Sequence, residues 1–309
     1  MRIRAFLTAI LTTSLSAIIL PLGLAHPAGA SQHDASQHDA SQGSSGTFAP
    51  AVRAPVLAPA TPKITAKAAY LVDLTTGTEL YAKNADRQVP VASLAKVMTA
   101  YVVRQEGSLD DLITITRQDV LHAANNGASH AGLRAGERLT TRDLLYALML
   151  PSAADAANAL ARRYGPGTAR FVAKMNDAAR DLGLDRTHYT NVDGLPRPAL
   201  GGHSTARDQT RLAMVALADP VIAEIAATAR HRLPTTADHR AHVWKNSNKL
   251  LTRVPGTFGL KTGFTRAAGF CLSFAAVKGG HTLFGTVLGD TTDARRFRSA
   301  TRLLDIVQV

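Results

Sequence analysis

From about residue 64 the apolar and polar positions fall into regular patterns. "AAYLVDLTTGTELYAKN", residues 68–84, alternates on both sides of Thr75-Thr76-Gly77 and predicts a strand, a turn and a second strand. Residues 93–104 predict a helix that is apolar on almost every side, since Lys96 is the only charge between Leu94 and Val103. An alanine-rich, helix-patterned region then runs to about residue 227, clearest at 142–149, 153–163, 168–182 and 205–217. Gly165, Gly183, Asp193-Gly194 and Asp219-Pro220 punctuate it. Strand patterns return near 257–265, 268–277 and 281–289, and a last helix covers 291–307. Strands at both ends with helices between them imply an α+β body, an antiparallel sheet flanked by helices with an inserted helical lobe. A site is expected in the cleft between sheet and lobe.

The first sixty-odd residues follow different rules. Arg2 and Arg4 precede the apolar run Ala5–Leu24, and Ala28-Gly29-Ala30 is a small-x-small site, so residues 1–30 read as a signal peptide. The alternative is a retained N-terminal anchor. Residues 31–63 are a low-complexity linker: the pentad Ala-Ser-Gln-His-Asp occurs at 30–34 and 35–39, and a Pro/Ala-rich stretch follows. The body is therefore expected outside the cytoplasm. The chain's 309 residues, 46% hydrophobic, suffice for a large core.

The formal charge of +12 suits an anionic surrounding. Export and the lack of basic runs interleaved with aromatics argue against nucleic acid, leaving anionic lipid or an anionic wall. Cys271 is the only cysteine, which excludes an intrachain disulfide, and its apolar run "GFCLSFAAV" reads as the setting of a buried structural thiol. His239 and His242 lie in a polar stretch without a carboxylate ligand set, so a surface or structural role is expected, with no metal and no cofactor.

Three short motifs carry candidate chemistry. Ser93 and Lys96 are three apart and share a helical face. A lysine in so apolar a helix is costly unless neutral, and neutrality at pH 7 requires about 4.6 kcal/mol of environmental bias. A neutral lysine is a general base for a serine with no histidine beside it. The competing reading is a helix-capping serine with a snorkelling lysine. The second motif, Ser152 in "LMLPSAADAANALA", also forms a capping box with Asp155. The third is Lys261-Thr262-Gly263 on a predicted strand, where a cation is awkward unless it faces a cleft and where Gly263 permits close approach of a ligand backbone. Thr262 and Thr265 are three apart and need a twist or bulge to serve one site.

In this order the three motifs form the set known from penicillin-binding proteins and class A β-lactamases. The chain resembles a low-molecular-mass penicillin-binding protein of the D-alanyl-D-alanine carboxypeptidase family, over residues 64–309. "LRAGERLTTRDLLYALMLPSAADAANALA", "FVAKMNDAARDLGLDRTHYTNVDGLP", "HSTARD" and "NSNKLL" carry the likeness beyond the motifs. The resemblance implies that Ser93 is the acylated nucleophile, Lys96 its general base and Ser152 a proton relay to the leaving amine. It implies that Lys261, Thr262, Gly263 and Thr265 bind the substrate, Lys261 and Thr262 through its terminal carboxylate. The backbone N–H groups of Ser93 and Phe264 would form the oxyanion hole.

The implied activity is trimming of the terminal D-Ala from peptidoglycan stem peptides ending in D-Ala-D-Ala, with β-lactam antibiotics as covalent inhibitors. Transpeptidase or endopeptidase action on the same scaffold is the alternative. A β-lactamase is disfavoured, because Glu224 is the only glutamate between Ser152 and Lys261 and has no matching motif. A wall-binding protein with weakened chemistry is the non-enzymatic alternative, suggested by Ala154, which stands where the family has asparagine. Asn158, one turn on, is a candidate substitute. The chain stops at Val309, so neither the C-terminal β-domain nor the membrane anchor of many family members is expected. The stripe Phe297, Ala300, Leu304 and Val307 should pack on the sheet.

Overall fold

The computed structural model describes residues 62–196 and 202–308. The expected signal peptide and nearly all of the expected linker lie outside them. Nine strands and nine α-helices are present among the described residues.

The hairpin expected at the start is formed by β1 (Ala68–Asp73) and β2 (Thr78–Lys83). Its turn is closed by the Asp73 carboxylate, which accepts from the Thr75 amide at 2.9 Å and the Thr76 hydroxyl at 2.7 Å. The strands expected near the end are β7 (Thr257–Thr265), β8 (Gly269–Lys278) and β9 (His281–Asp290). These five make one antiparallel sheet in the order β2-β1-β9-β8-β7, which closes the two ends of the chain together and leaves β7 at an edge.

Alternation along the strands separates two cores. Ala69, Leu71, Leu272, Phe274 and Leu283 face the last helix, α9 (Asp293–Leu304), through Phe297, Ala300, Leu303 and Leu304. The expected stripe therefore packs on the sheet, with Val307 partly buried against the same cluster. On the other face, Ala68, Tyr70, Leu288 and Cys271 meet Leu94 and Ala206, and Cys271 is buried as expected.

The lobe begins with a 3-10 turn, Ala92–Leu94, that runs into α1 (Ala95–Glu106). Every residue from Ala95 to Val103 is buried, so α1 is the lobe's central rod. Around it pack α3 (Thr141–Met149), α4 (Ala154–Tyr164), α5 (Thr168–Asp181) and α6 (Ala206–Leu217), close to the expected helices. Thr140 and Thr205 cap α3 and α6 by accepting from the amides of Asp143 and Asp208.

Elements absent from the sequence reading are short or weakly patterned. They are α2 (Arg117–Asn125), the strand pair β3 (Leu112–Thr114) and β4 (Arg138–Thr140), and the pair β5 (Arg230–Leu233) and β6 (His242–Lys245). His242 is buried, and its Nε2 lies 3.2 Å from Glu137 Oε1, a carboxylate that the local sequence did not suggest. Trp244 and His242 stack at 5.3 Å, so the histidine belongs to the β6–lobe packing.

Candidate active site

Ser93 sits in the 3-10 turn ahead of α1, and its side chain caps nothing. It is instead 3.1 Å from Lys96 Nζ. The same Nζ donates to the Asp193 carbonyl oxygen at 2.8 Å, and Lys96 is only 1% exposed. The snorkelling alternative is thereby excluded: the amine points inward and has one backbone carbonyl and one hydroxyl for company. Burial pushes its pKa down, while Asp193 and Asp155 pull it back up.

The loop that supplies Asp193 is held by the helix it serves. Thr99 Oγ1, one turn beyond Lys96, donates to the Val192 carbonyl at 2.6 Å. Asn191 Oδ1 accepts from the Gly194 amide at 2.7 Å, closing the loop on itself. Gly194 has φ +77°, and a Cβ there would stand 1.8 Å from the Ala92 carbonyl oxygen, so only glycine allows the loop to lie against the Ser93 turn.

The edge strand β7 closes the other side. A Cβ on Gly263 would lie 3.0 Å from the Ser93 amide nitrogen, which puts the strand backbone directly against the serine. Lys261 is 1% exposed, and its Nζ donates to the Thr262 carbonyl at 3.2 Å. Burial and the neighbouring cations Lys96 and Arg296 hold its pKa well below the ordinary lysine value. Lys96 is drawn back by two carboxylates, whereas the charges that shift Lys261 are those of Lys96 and Arg296, which oppose its cation.

Arg296 of α9 is the source of part of that charge. Its Nη1 donates to the Gly263 and Cys271 carbonyls at 3.0 and 3.3 Å, and Asp293 binds its Nη2. Nothing in the local sequence singled out Arg296 among the arginines of its helix. Ser247, between β6 and α8 (Leu250–Arg253), is a second residue the sequence reading left without a role: its Oγ lies 2.6 Å from Thr262 Oγ1.

The remaining expected residues divide. Ser152 is buried at φ +68°, and its Oγ has no hydrogen-bond partner. The capping box is absent, because α4 is capped at Ala153 without a side-chain bond and Asp155 accepts instead from the amides of Ala131 and Leu133. Asn158 does not replace the missing family asparagine. Its Nδ2 is committed to Asp119 Oδ1 at 2.7 Å, and Ala154 itself is fully buried. Thr265 accepts from the Ala268 amide at 3.0 Å and lines a cavity of about 370 Å³ with Val91, Ala92 and Gly194. Phe264 is half exposed, its ring 4.3 Å from that of Phe270. Glu224, on α7 (Pro220–Ala227), accepts from Tyr146 and Arg142.

The site is thus a serine beside a buried lysine, closed by a Lys-Thr-Gly edge strand. The family model for D-alanyl-D-alanine carboxypeptidase matches residues 55–292. The chain belongs to this family. A D-alanyl-D-alanine carboxypeptidase of Streptomyces sp. strain K15 is 40% identical over 263 residues, covering 81% of this chain and 90% of that protein. A D-alanyl-D-alanine endopeptidase of Escherichia coli K12 is 30% identical over 261 residues, 83% of this chain and 82% of its own.

The crystal structure of the Streptomyces K15 DD-transpeptidase superposes with a TM-score of 0.75 at 38% identity, over 79% of this chain and 97% of that one. An evolved putative penicillin-binding protein homolog from Mycobacterium tuberculosis gives 0.73 at 33% identity, over 79% and 92%. The fold is thus that of the D,D-peptidases, and the chain is a serine-type hydrolase of the penicillin-binding class.

Proposed function

We propose that this protein is a D,D-carboxypeptidase that removes the terminal D-Ala of peptidoglycan stem peptides through an acyl-enzyme on Ser93. The observation that carries the reading is the 3.1 Å approach of Lys96 Nζ to Ser93 Oγ with the lysine buried. A neutral amine there donates one N–H to the Asp193 carbonyl and turns its lone pair to the serine hydroxyl. Ser93 Oγ attacks the penultimate D-Ala carbonyl as its proton passes to Lys96. The tetrahedral oxyanion faces the amides of Ser93 and Phe264. Ser152, whose buried hydroxyl has no partner among the described residues, relays the proton taken up by Lys96 to the departing D-Ala nitrogen, and water then releases the shortened peptide.

The substrate's terminal carboxylate would oppose the cation–cation repulsion at Lys261. Binding near Lys261 and Thr262, it stabilises Lys261 as a cation and leaves Lys96 the amine that accepts a proton. Transpeptidation and endopeptidase action need only another acceptor or donor for the same acyl-enzyme, and relatives carry all three names. Residues 1–30 support export, and the formal charge of +12 supports residence in an anionic cell envelope.

Labelling with a fluorescent penicillin tests the reading. Wild-type protein forms a covalent adduct, Ser93→Ala does not, and a D-Ala-D-Ala peptide releases D-Ala. Equal labelling of Ser93→Ala would exclude the assignment.

A further inference from the structure

Asp193 binds two residues with its two ends. Its backbone carbonyl accepts from Lys96 Nζ at 2.8 Å. Its carboxylate, fully buried, lies 2.7 Å from His122 Nε2, and its Oδ1 accepts from the Leu195 amide at 3.1 Å. His122 comes from α2, an element with no part in the family motifs, and its side chain remains 29% exposed to solvent. A titratable ring open to water thus touches the buried carboxylate of the residue whose backbone carbonyl holds the buried amine. We infer that His122 is a positioning residue that sets the protonation of Lys96 through Asp193, keeping the lysine neutral while the imidazole is charged.

The charges around each group support one direction of coupling. Lys96 is faced by Asp193 and Asp155, which favour its cation, and by Lys261, which opposes it. Asp155 is occupied by the amides of Ala131, Leu133 and Ala156, none of which carries a charge. His122 is faced by Asp193, by Lys96 and by Asp119, and Asp119 is itself paired with Arg162 at 2.9 Å. Of the two carboxylates that favour the Lys96 cation, Asp193 is therefore the one paired with a group that gains and loses a proton.

With His122 protonated, the imidazolium and carboxylate cancel, and burial alone governs Lys96. With His122 neutral, the uncompensated carboxylate favours the lysinium, so the free amine forms only at higher pH. The hydrogen bond to Asp193 holds the imidazole above its ordinary pKa, so the charged form persists towards neutral pH. The two sites titrate as a coupled pair.

This inference rests on Ser93 and Lys96 acting as proposed, and the test separates the two. The second-order rate of labelling by a fluorescent penicillin is followed from acidic to alkaline pH for wild type, His122→Gln, His122→Lys and Asp193→Asn. His122→Gln is expected to move the acid limb up by about one pH unit, about tenfold slower at a fixed pH on that limb, with the alkaline plateau kept. His122→Lys, which restores a cation, brings the limb back, and Asp193→Asn moves it down.

A uniform rate loss in His122→Gln with the limb unmoved overturns the role of His122. So does a shift of His122→Gln in the same direction as Asp193→Asn. If Asp193→Asn does not fold, the two His122 variants decide alone. Wild type that takes no label, or Ser93→Ala that takes it, overturns the serine mechanism instead.

Discussion

At the scale of single residues, Lys96 shows how a function is held against stability. A buried amine with one carbonyl and one hydroxyl as partners is a poor core residue. Lys96→Met is expected to slow penicillin acylation by about 10²–10⁴-fold while leaving the thermal midpoint unchanged or higher. A large fall in the midpoint would make the lysine structural. Gly194 behaves in the opposite way. Gly194→Ala sets a methyl against the Ala92 carbonyl in a positive-φ backbone, and should cost about 1–3 kcal/mol in urea unfolding together with much of the labelling rate. Lys96 was legible in the sequence because a charge in an apolar helix violates its surroundings. Asp193 was not, because it offers Lys96 a backbone carbonyl, which any residue carries.

At the scale of elements, the lobe is joined by buried polar knots as well as by its apolar faces. Asp119, at the start of α2, accepts from the Thr116 amide, from Asn158 of α4 and from Arg162 of α4. Those partners hold its pKa below the ordinary aspartate value despite burial. A carboxylate depressed on folding adds stability above its unfolded pKa and loses it as pH falls through the folded one. Asp119→Ala should therefore cost about 3–5 kcal/mol at neutral pH, with the gap to wild type narrowing in acid, as measured by urea unfolding at both. The same knot explains why Asn158 does not stand in for the family asparagine. Helical spacing put it within a turn of Ala154, but spacing along one helix says nothing about α2, which claims the amide.

Across the whole molecule, one sheet serves two cores, so damage on one face is felt on the other. Phe297 is 4% exposed between α9 and the sheet. Phe297→Ala is expected to cost about 3–5 kcal/mol. Trp244, the only tryptophan, lies in the lobe cluster on the far side of the sheet. Its fluorescence and the far-UV circular dichroism should still shift together, and separate transitions would show that the lobe unfolds alone. Arg296 acts across the same boundary, carrying a cation from α9 to the carbonyl of Gly263.

The sequence by itself determined the α+β class and the main helices and strands, and it marked Ser93, Lys96, Ser152 and Lys261-Thr262-Gly263 as candidates. Periodicity, capping and motif order are local properties that survive in one dimension. Only the tertiary structure decided what those residues meet. It replaced the capping roles of Ser93 and Ser152 with a lysine contact and an unpartnered hydroxyl. It set Thr265 in a cavity wall with Ala92 and Gly194, placed Ser247 and Arg296 against Thr262 and Gly263, and brought the Asp193 carbonyl to Lys96 and the His122 ring to the Asp193 carboxylate. Charge balance in a buried site depends on distance in space, and the chain carries no local record of which distant groups will share one low-dielectric volume.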